Sequence, residues 1–202
     1  MRFYRFIRAL IKPFVFLLYR VKKVGAKNEP DTPYIVFANH SSFIDPILLA
    51  VTLKQSVRFA AKVDLTKHAL PRWFFKHLGC VTLNRDGKDM QSIRELVGII
   101  NDGTSVGIFP QGTRIPYKIP SSDDALPGFA AIAKMSKATL LPVSIITKRL
   151  RPGIFRRTTV IIGEPITYDE YMSCAENPTR EQITAYCFDR VAQRFENADA
   201  KN

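Results

Sequence analysis

From Pro33 onward, the chain alternates short β-branched or aromatic runs with longer segments whose apolar side chains recur at helical spacing. The short runs predict strands at residues 34–37, 57–60, 105–109, 140–147 and 158–162. The spaced segments predict helices at about residues 46–53, 65–77, 88–101, 126–137 and 179–197. Strands separated by helices are typical of an α/β domain. We therefore expect residues 25–202 to form a single α/β domain with a mixed, largely parallel sheet flanked by helices.

Residues 1–24 follow a different pattern. On a helical wheel, one arc is basic and the other apolar; the basic residues are Arg2, Arg5, Arg8 and Lys12, and the apolar ones are Phe3, Phe6, Ile7, Leu10 and Ile11. Pro13 interrupts the helix, either as a kink or as the start of a second helix. Residues 14–19 are too short an apolar stretch to span a bilayer, which takes about 20 residues. The pattern predicts a pair of amphipathic helices lying on a membrane, the alternative being a helix packed on the domain with its arginines in water.

The charge is concentrated at the same end of the chain. The formal net charge is +12, and residues 1–30 contain eight basic side chains and one acidic one. Such a segment suits an anionic partner, which could be lipid head groups, nucleic acid or an acidic protein. No recognisable nucleic-acid module follows it, so we expect a membrane surface and no nucleic acid. The three cysteines are scattered and form no metal pattern, so we expect neither a metal nor a cofactor.

A candidate general base follows the first predicted strand of the domain. His40 lies in the segment Asn39-His-Ser-Ser-Phe-Ile-Asp45, and active sites of α/β folds gather at the carboxyl ends of strands. A tight turn at residues 41–42 would bring Asp45 back to the imidazole, where a carboxylate fixes the tautomer and stabilises the imidazolium. The alternative is structural, because Asp45-Pro46 is also a favourable helix start with aspartate as the N-cap.

Two arginines follow other predicted strands. Arg114 ends the segment Gly107-Ile-Phe-Pro-Gln-Gly-Thr-Arg114, and Arg85 ends Gly79-Cys-Val-Thr-Leu-Asn-Arg85, a segment that predicts one more short strand just before the arginine. Guanidinium groups bind phosphate through paired N–H groups, and a turn with exposed amides can hold an anion. A base together with phosphate-binding arginines suits the activation of a hydroxyl on a phosphorylated acceptor.

The ordered set of segments resembles the glycerolipid acyltransferase family, which includes the 1-acylglycerol-3-phosphate (lysophosphatidate) acyltransferases. Residues 39–45 resemble its N-H-x-x-x-x-D motif, residues 79–85 its second motif, and residues 109–114 its third, usually F-P-E-G-T-R. Leu141-Pro-Val143 is similar to the fourth, and Lys62 and Gly128 also match the family pattern. The resemblance covers about residues 33–145.

The resemblance implies a reaction and a set of site residues. His40, oriented by Asp45, would deprotonate the acceptor hydroxyl, which attacks a thioester directly without a covalent enzyme intermediate. Arg85 and Arg114 would hold the acceptor phosphate; the remaining implied substrate-binding residues are Lys62, Gln111, Gly112 and Thr113. The donor would be acyl-CoA or acyl carrier protein, each a substrate and not a cofactor. The acceptor would be a lysophospholipid, and the protein would lie peripherally or monotopically on the cytoplasmic face of a membrane.

One position departs from the family pattern, because Gln111 stands where glutamate is usual. Glutamine keeps the size and an acceptor oxygen but loses the charge. If this position orients a hydroxyl or a backbone group, activity survives the change. If its charge pairs with an arginine, the acceptor can differ, for example glycerol 3-phosphate or another lysophospholipid, or the protein can be an inactive lipid-binding relative.

Overall fold

The structure is a computed structural model, and it describes residues 2–62, 81–83 and 90–199. The helix predicted at residues 65–77 therefore lies outside the described residues. The strands are β1 (Val21–Val24), β2 (Tyr34–Ala38), β3 (Val57–Lys62), β4 (Val81–Leu83), β5 (Ser105–Ile108), β6 (Thr139–Ile146) and β7 (Thr158–Ile162). The α-helices are α1 (Arg2–Leu18), α2 (Asp45–Thr52), α3 (Met90–Asn101), α4 (Gly128–Ser136), α5 (Tyr168–Met172) and α6 (Arg180–Asp199).

The strands form one seven-stranded sheet in the order β1-β7-β6-β2-β5-β3-β4. Every neighbouring pair is parallel except β6 and β7, which are antiparallel. The prediction of an α/β domain with a mixed, largely parallel sheet is therefore confirmed. Strand β1, at one edge, was not predicted, because its sequence Val-Lys-Lys-Val is too short to give a clear alternation.

Helices cover both faces of the sheet, and β2 supplies side chains to both layers. Ile35 and Phe37 pack with α3, α4, α5 and α6 in one core. Tyr34, Val36 and Ala38 pack on the opposite face, in the core that α1 and α2 help to form. A central strand buried on both faces has a continuous apolar sequence, which is why residues 34–38 are apolar throughout.

The N-terminal segment differs from its prediction in two ways. Residues 2–18 form one continuous helix with Pro13 inside it, so the predicted pair of helices is wrong. The helix survives the proline because apolar packing holds it on both sides, with Tyr4 and Val15 buried against the domain. Residues 21–24, which we assigned to the membrane helices, form β1 instead.

The basic residues predicted to share one arc of α1 do not all face solvent. Arg8 points toward the domain, where its guanidinium donates to the backbone oxygens of Leu53, Lys54 and Gln55 just beyond α2. The three carbonyls lie at and just beyond the C-cap of α2, where a cation is favourable beside the negative end of the helix dipole. Arg8 therefore fastens α1 to the domain and is not part of a face turned toward lipid.

The exposed side of α1 is apolar. It carries a stripe of large side chains, of which Leu17 is the most exposed at 72%; the members of this α1 stripe are Phe6, Leu10, Phe14 and Leu17. Arg5 and Lys12, on the same helix, are also exposed. Among the described residues, no helix is long and apolar enough to cross a membrane.

Candidate active site

The carboxyl ends of β2, β3, β5 and β6 lie at one edge of the sheet, because these four strands run parallel. Buried Asn39 fixes the chain just after β2: its amide Nδ2 donates to the Ile145 carbonyl at 3.1 Å, and its Oδ1 accepts from the Ile145 N–H at 2.8 Å. The backbone of His40 is thus held against β6 before its side chain makes any contact. Asn39 belongs to the N-H-x-x-x-x-D motif, and this pair of bonds gives it a positioning role that the motif alone did not predict.

His40 and Asp45 lie in direct contact. Nδ1 of His40 is 2.9 Å from Oδ2 of Asp45, and the imidazole remains partly open, with its side chain 17% exposed. The same Oδ2 accepts the backbone N–H groups of Ser41 and Ser42, each at 2.7 Å. The turn at residues 41–42 therefore folds Asp45 back onto His40, as the spacing predicted.

Asp45 is not used as a helix cap. Helix α2 begins with Ile44 as its N-cap, without a side-chain cap, and the Asp45 carboxylate instead turns back toward the residues that precede it. The side chain is completely buried. A buried carboxylate that accepts from three groups cannot move far, and it fixes the proton of the imidazole on Nδ1, which leaves Nε2 as the proton acceptor.

The Gln111 side chain supports His40 from the neighbouring strand. It is buried, and its Oε1 accepts the backbone N–H of His40 at 2.6 Å. Slightly further along the same segment, the N–H of Ile115 donates to the His40 carbonyl at 2.8 Å. Both backbone groups of His40 are therefore paired with the segment that follows β5.

The turn after β5 presents the remaining residues of the third motif. The Gly112 N–H donates to the Phe109 carbonyl at 3.0 Å, and Gly112 adopts a left-handed φ of 63°, which favours glycine. Thr113 and Arg114 follow it and are exposed. The Arg114 guanidinium carbon lies 3.3 Å from the ring centroid of Phe43, so this arginine stacks on the His40 segment.

An aromatic stack forms one wall beside the base. The imidazole of His40 stacks on Phe109 with a centroid distance of 4.1 Å, and Phe109 stacks on Phe59 at 6.2 Å. Gly107 leaves room for this stack, because a Cβ there would lie 2.4 Å from the Phe59 ring. This wall was not predicted, because it joins residues from three strands that are distant along the chain.

Two other expected residues can be placed only partly. Lys62 is the last residue of β3, so its backbone lies at the same edge of the sheet as His40. Arg85 lies outside the described residues. Within the described part of the chain, no group of three or more histidine, cysteine or acidic side chains is arranged to hold a metal ion.

Comparisons with known proteins point to one family. Residues 20–146 match the acyltransferase family. The chain is 27% identical to the 1-acyl-sn-glycerol-3-phosphate acyltransferase of Bacillus subtilis, covering 98% of both chains, and 26% identical to that of Streptococcus pneumoniae, covering 81% of this chain and 62% of the relative. The crystal structure of the 1-acyl-sn-glycerophosphate acyltransferase PlsC from Thermotoga maritima superimposes with a TM-score of 0.73 at 26% identity, covering 98% of this chain and 79% of that one.

Proposed function

The chain belongs to the acyltransferase family, and on that premise we propose that it transfers a fatty acyl group from a thioester to the 2-hydroxyl of 1-acylglycerol 3-phosphate, producing phosphatidate. The observation that carries the proposal is the 2.9 Å contact between His40 and Asp45 at the carboxyl edge of the sheet. The choice of acceptor is supported by the Bacillus subtilis relative, which carries the name of this activity and matches 98% of the chain.

His40 acts as the general base in this reaction. Its Nδ1–H stays bonded to Asp45, so Nε2 takes the proton of the acceptor hydroxyl as that oxygen attacks the thioester carbonyl. The new C–O bond forms, the C–S bond breaks, and the leaving thiolate recovers the proton from Nε2. No serine or cysteine is acylated along the way.

The acceptor phosphate binds to basic groups beside the base. Arg114 stacks on Phe43 through the face of its guanidinium, a geometry that leaves the N–H groups at the edge of the plane able to donate to phosphate. We assign Arg85 and Thr113 to the same phosphate. The oxyanion formed at the thioester carbon needs N–H donors; the candidates are the Lys62 side chain and backbone N–H groups near Gly112, whose own N–H is bonded to Phe109.

The donor is an acyl thioester of coenzyme A or of acyl carrier protein. Both carriers are acidic, and both suit a protein with a net charge of +12. Neither is a cofactor, because each is consumed as a substrate.

The protein works on a membrane surface. Helix α1 presents the α1 stripe together with exposed Arg5 and Lys12, an arrangement that suits an in-plane helix at an anionic interface. A single-chain phospholipid acceptor resides in that interface, and soluble acyl donors reach it from the cytoplasmic side. We therefore assign the protein to the cytoplasmic face as a peripheral or monotopic enzyme.

A panel of substrates tests the proposal. The purified protein in detergent micelles is given 1-acylglycerol 3-phosphate, glycerol 3-phosphate or a lysophospholipid, each with acyl-CoA and with acyl carrier protein thioester. Mass spectrometry measures the acylated product, and we expect phosphatidate as the main one. Product from another acceptor alone would overturn the acceptor assignment, and no product from any combination would identify an inactive lipid-binding relative.

A further inference from the structure

The connection between β6 and β7 is unusually basic, and none of its residues belongs to the site assigned above to acyl transfer. Residues 148–157, Lys-Arg-Leu-Arg-Pro-Gly-Ile-Phe-Arg-Arg, hold five basic side chains and no acidic one; we call this segment the basic loop. At its tip, beside Pro152 and Gly153, two large apolar residues are exposed to solvent: Ile154 by 56% and Phe155 by 70%. Exposing apolar residues to water is unfavourable in free energy, whereas apolar residues flanked by cations are favourable at an anionic lipid surface.

A cavity of about 310 Å³ lies next to the end of α1 and is lined by four cations of the basic loop and by Arg20. Its basic lining residues are Arg20, Lys148, Arg149, Arg156 and Arg157. Within the described ranges of the chain, no acidic side chain forms an ion pair with any of these five. Five cations around one cavity repel each other, and an anion placed among them removes that repulsion.

The backbone fixes the basic loop beside α1. The Phe155 N–H donates to the carbonyl of Leu18, the last residue of α1, and the Thr158 N–H donates to the Tyr19 carbonyl at 3.1 Å. Phe155 adopts a left-handed φ of 62°, a conformation disfavoured for a bulky residue, and it nevertheless presents its ring to solvent. The apolar tip of the loop and the α1 stripe are thus parts of two segments held rigidly together.

We propose that the basic loop is an anionic-lipid binding element: its cations hold lipid phosphates in the cavity, and Ile154 and Phe155 enter the boundary between head groups and acyl chains. An anionic bilayer accounts for both features of the basic loop, its cations and its exposed apolar tip. A soluble phosphorylated donor would account for the cations alone. The inference goes beyond acyl transfer, because the binding needs neither substrate.

The basic loop is also connected to the active site. Arg151 donates to the Tyr117 hydroxyl at 3.0 Å, and the Tyr117 N–H donates to the Leu150 carbonyl at 3.4 Å. Two residues before Tyr117, Ile115 is bonded to the backbone of His40. A basic loop seated on the bilayer would hold this segment, and the opening beside His40, close to the membrane surface.

Vesicle binding by the full chain tests the charge component. Vesicles of phosphatidylcholine and phosphatidylglycerol in equal amounts are sedimented with the parent protein and with the double variant Arg156→Gln, Arg157→Gln. Because each basic side chain near an anionic surface contributes roughly a fivefold gain in binding, we expect the double variant to bind roughly tenfold or more weakly. The matched control is Arg94→Gln, Lys134→Gln, which removes the same charge from α3 and α4 in the opposite helical layer and should bind nearly as the parent does.

The apolar tip is tested with Phe155→Asn, since asparagine tolerates a left-handed φ and the fold should be kept. We expect binding to weaken by roughly tenfold, which corresponds to the low end of the free energy for burying one large apolar side chain. The control is Met135→Gln, which removes an exposed apolar side chain on α4. Parental binding by the loop variants, or equal losses in the controls, would overturn the proposal.

Activity in detergent micelles separates this inference from the proposed function. The loop variants should transfer acyl groups in micelles at the parental rate. Loop variants that bind vesicles normally but need more acyl donor in micelles would assign the cavity to the donor's phosphates and contradict a lipid site. A parent protein that binds vesicles through the loop yet transfers no acyl group would overturn the proposed function alone.

Discussion

The Gln111 side chain holds the backbone of His40, its Oε1 accepting the His40 N–H at 2.6 Å. This bond joins the segment after β2 to the segment after β5, and so ties the candidate base to the turn that contains Gly112. Glutamate, which the family usually has here, offers the same acceptor oxygen. The geometry of this contact therefore accounts for how glutamine can replace glutamate without displacing the base.

Two substitutions at Gln111 should distinguish the effect of its hydrogen-bond acceptor oxygen from the effect of its missing negative charge. Gln111→Glu keeps an oxygen that accepts the His40 N–H, so the base stays in place and we expect kcat in micelles to remain within about fivefold of the parent. Gln111→Leu keeps the volume but leaves the N–H unpaired, which costs about 1–3 kcal/mol in the free energy of unfolding. Displacement of His40 should also lower kcat by about tenfold or more.

The comparison of the two variants is the control, measured by acyl transfer and by urea unfolding. If Gln111→Leu were as stable and active as the parent, the bond to His40 would have no positioning role. If Gln111→Glu alone lost activity, a negative charge at this position would be harmful in this chain.

Asp45→Asn should weaken the base while preserving its surroundings. Oδ2 of Asp45 alone accepts from Ser41, Ser42 and His40, so the asparagine oxygen can take its place and the NH₂ group the place of Oδ1. The negative charge that stabilises the imidazolium is lost, and we therefore expect kcat to fall by about 10²-fold or more. Circular dichroism and the urea midpoint check that the fold persists, and a variant with parental kcat would contradict the assigned role of Asp45.

Arg8→Ala should loosen α1 from the domain. The guanidinium bonds three carbonyls beyond α2, and hydrogen bonds to charged groups contribute about 1.5–3 kcal/mol, so we expect the free energy of unfolding to drop by about 2 kcal/mol. Arg5→Ala is the matched control, because Arg5 lies one turn away and is exposed. Urea unfolding in micelles measures both variants, and equal losses would show that Arg8 acts only through its charge.

Local patterns predicted most of this fold because each element buries a recognisable face. The apolar run at residues 34–38 forms a central strand, and α3 (Met90–Asn101) lies within the stretch whose helical spacing predicted it. The turn that returns Asp45 to His40 was equally visible, since it spans six consecutive residues.

Features that depend on distant partners were not visible in the sequence. Strand β1 exists because its backbone pairs with residues 158–161, more than a hundred positions away. Arg8 was placed on a lipid-facing arc because a helical wheel shows which residues share a face but not what that face meets. The basic loop, in contrast, has a clear local signal in the sequence, five cations in ten residues around an apolar pair.

Cys187 should be inert toward alkylating reagents. It is completely buried on α6, and burial raises the pKa of its thiol to about 12. Because the thiolate is the reactive form, iodoacetamide at mildly alkaline pH should modify half-exposed Cys174 in the native protein but leave Cys187 unmodified until urea unfolds the chain. Peptide mass spectrometry measures this, and native labelling of Cys187 would contradict the packing of α6.

The same raised pKa makes a prediction for alkaline pH. The unfolded thiol ionises near 9.0 and the folded one near 12, so the folded state keeps its proton more firmly. The protonated, buried thiol therefore contributes to the free energy of unfolding. The contribution is fully present at pH values below the unfolded pKa and is lost as the pH rises toward the folded pKa. Urea midpoints should therefore fall across that alkaline range, and less steeply in Cys187→Ala.

The central claim, that His40 is the base of an acyl transfer to lysophosphatidate, is tested most directly by one rate comparison. Parent and His40→Ala are mixed in micelles with 1-acylglycerol 3-phosphate and the acyl donor that the substrate panel selects, and phosphatidate is measured by mass spectrometry. We expect the parent to form phosphatidate and the folded variant to do so about 10²–10⁴-fold more slowly, the usual contribution of a general base. A folded His40→Ala protein that forms phosphatidate at the parental rate would contradict the account.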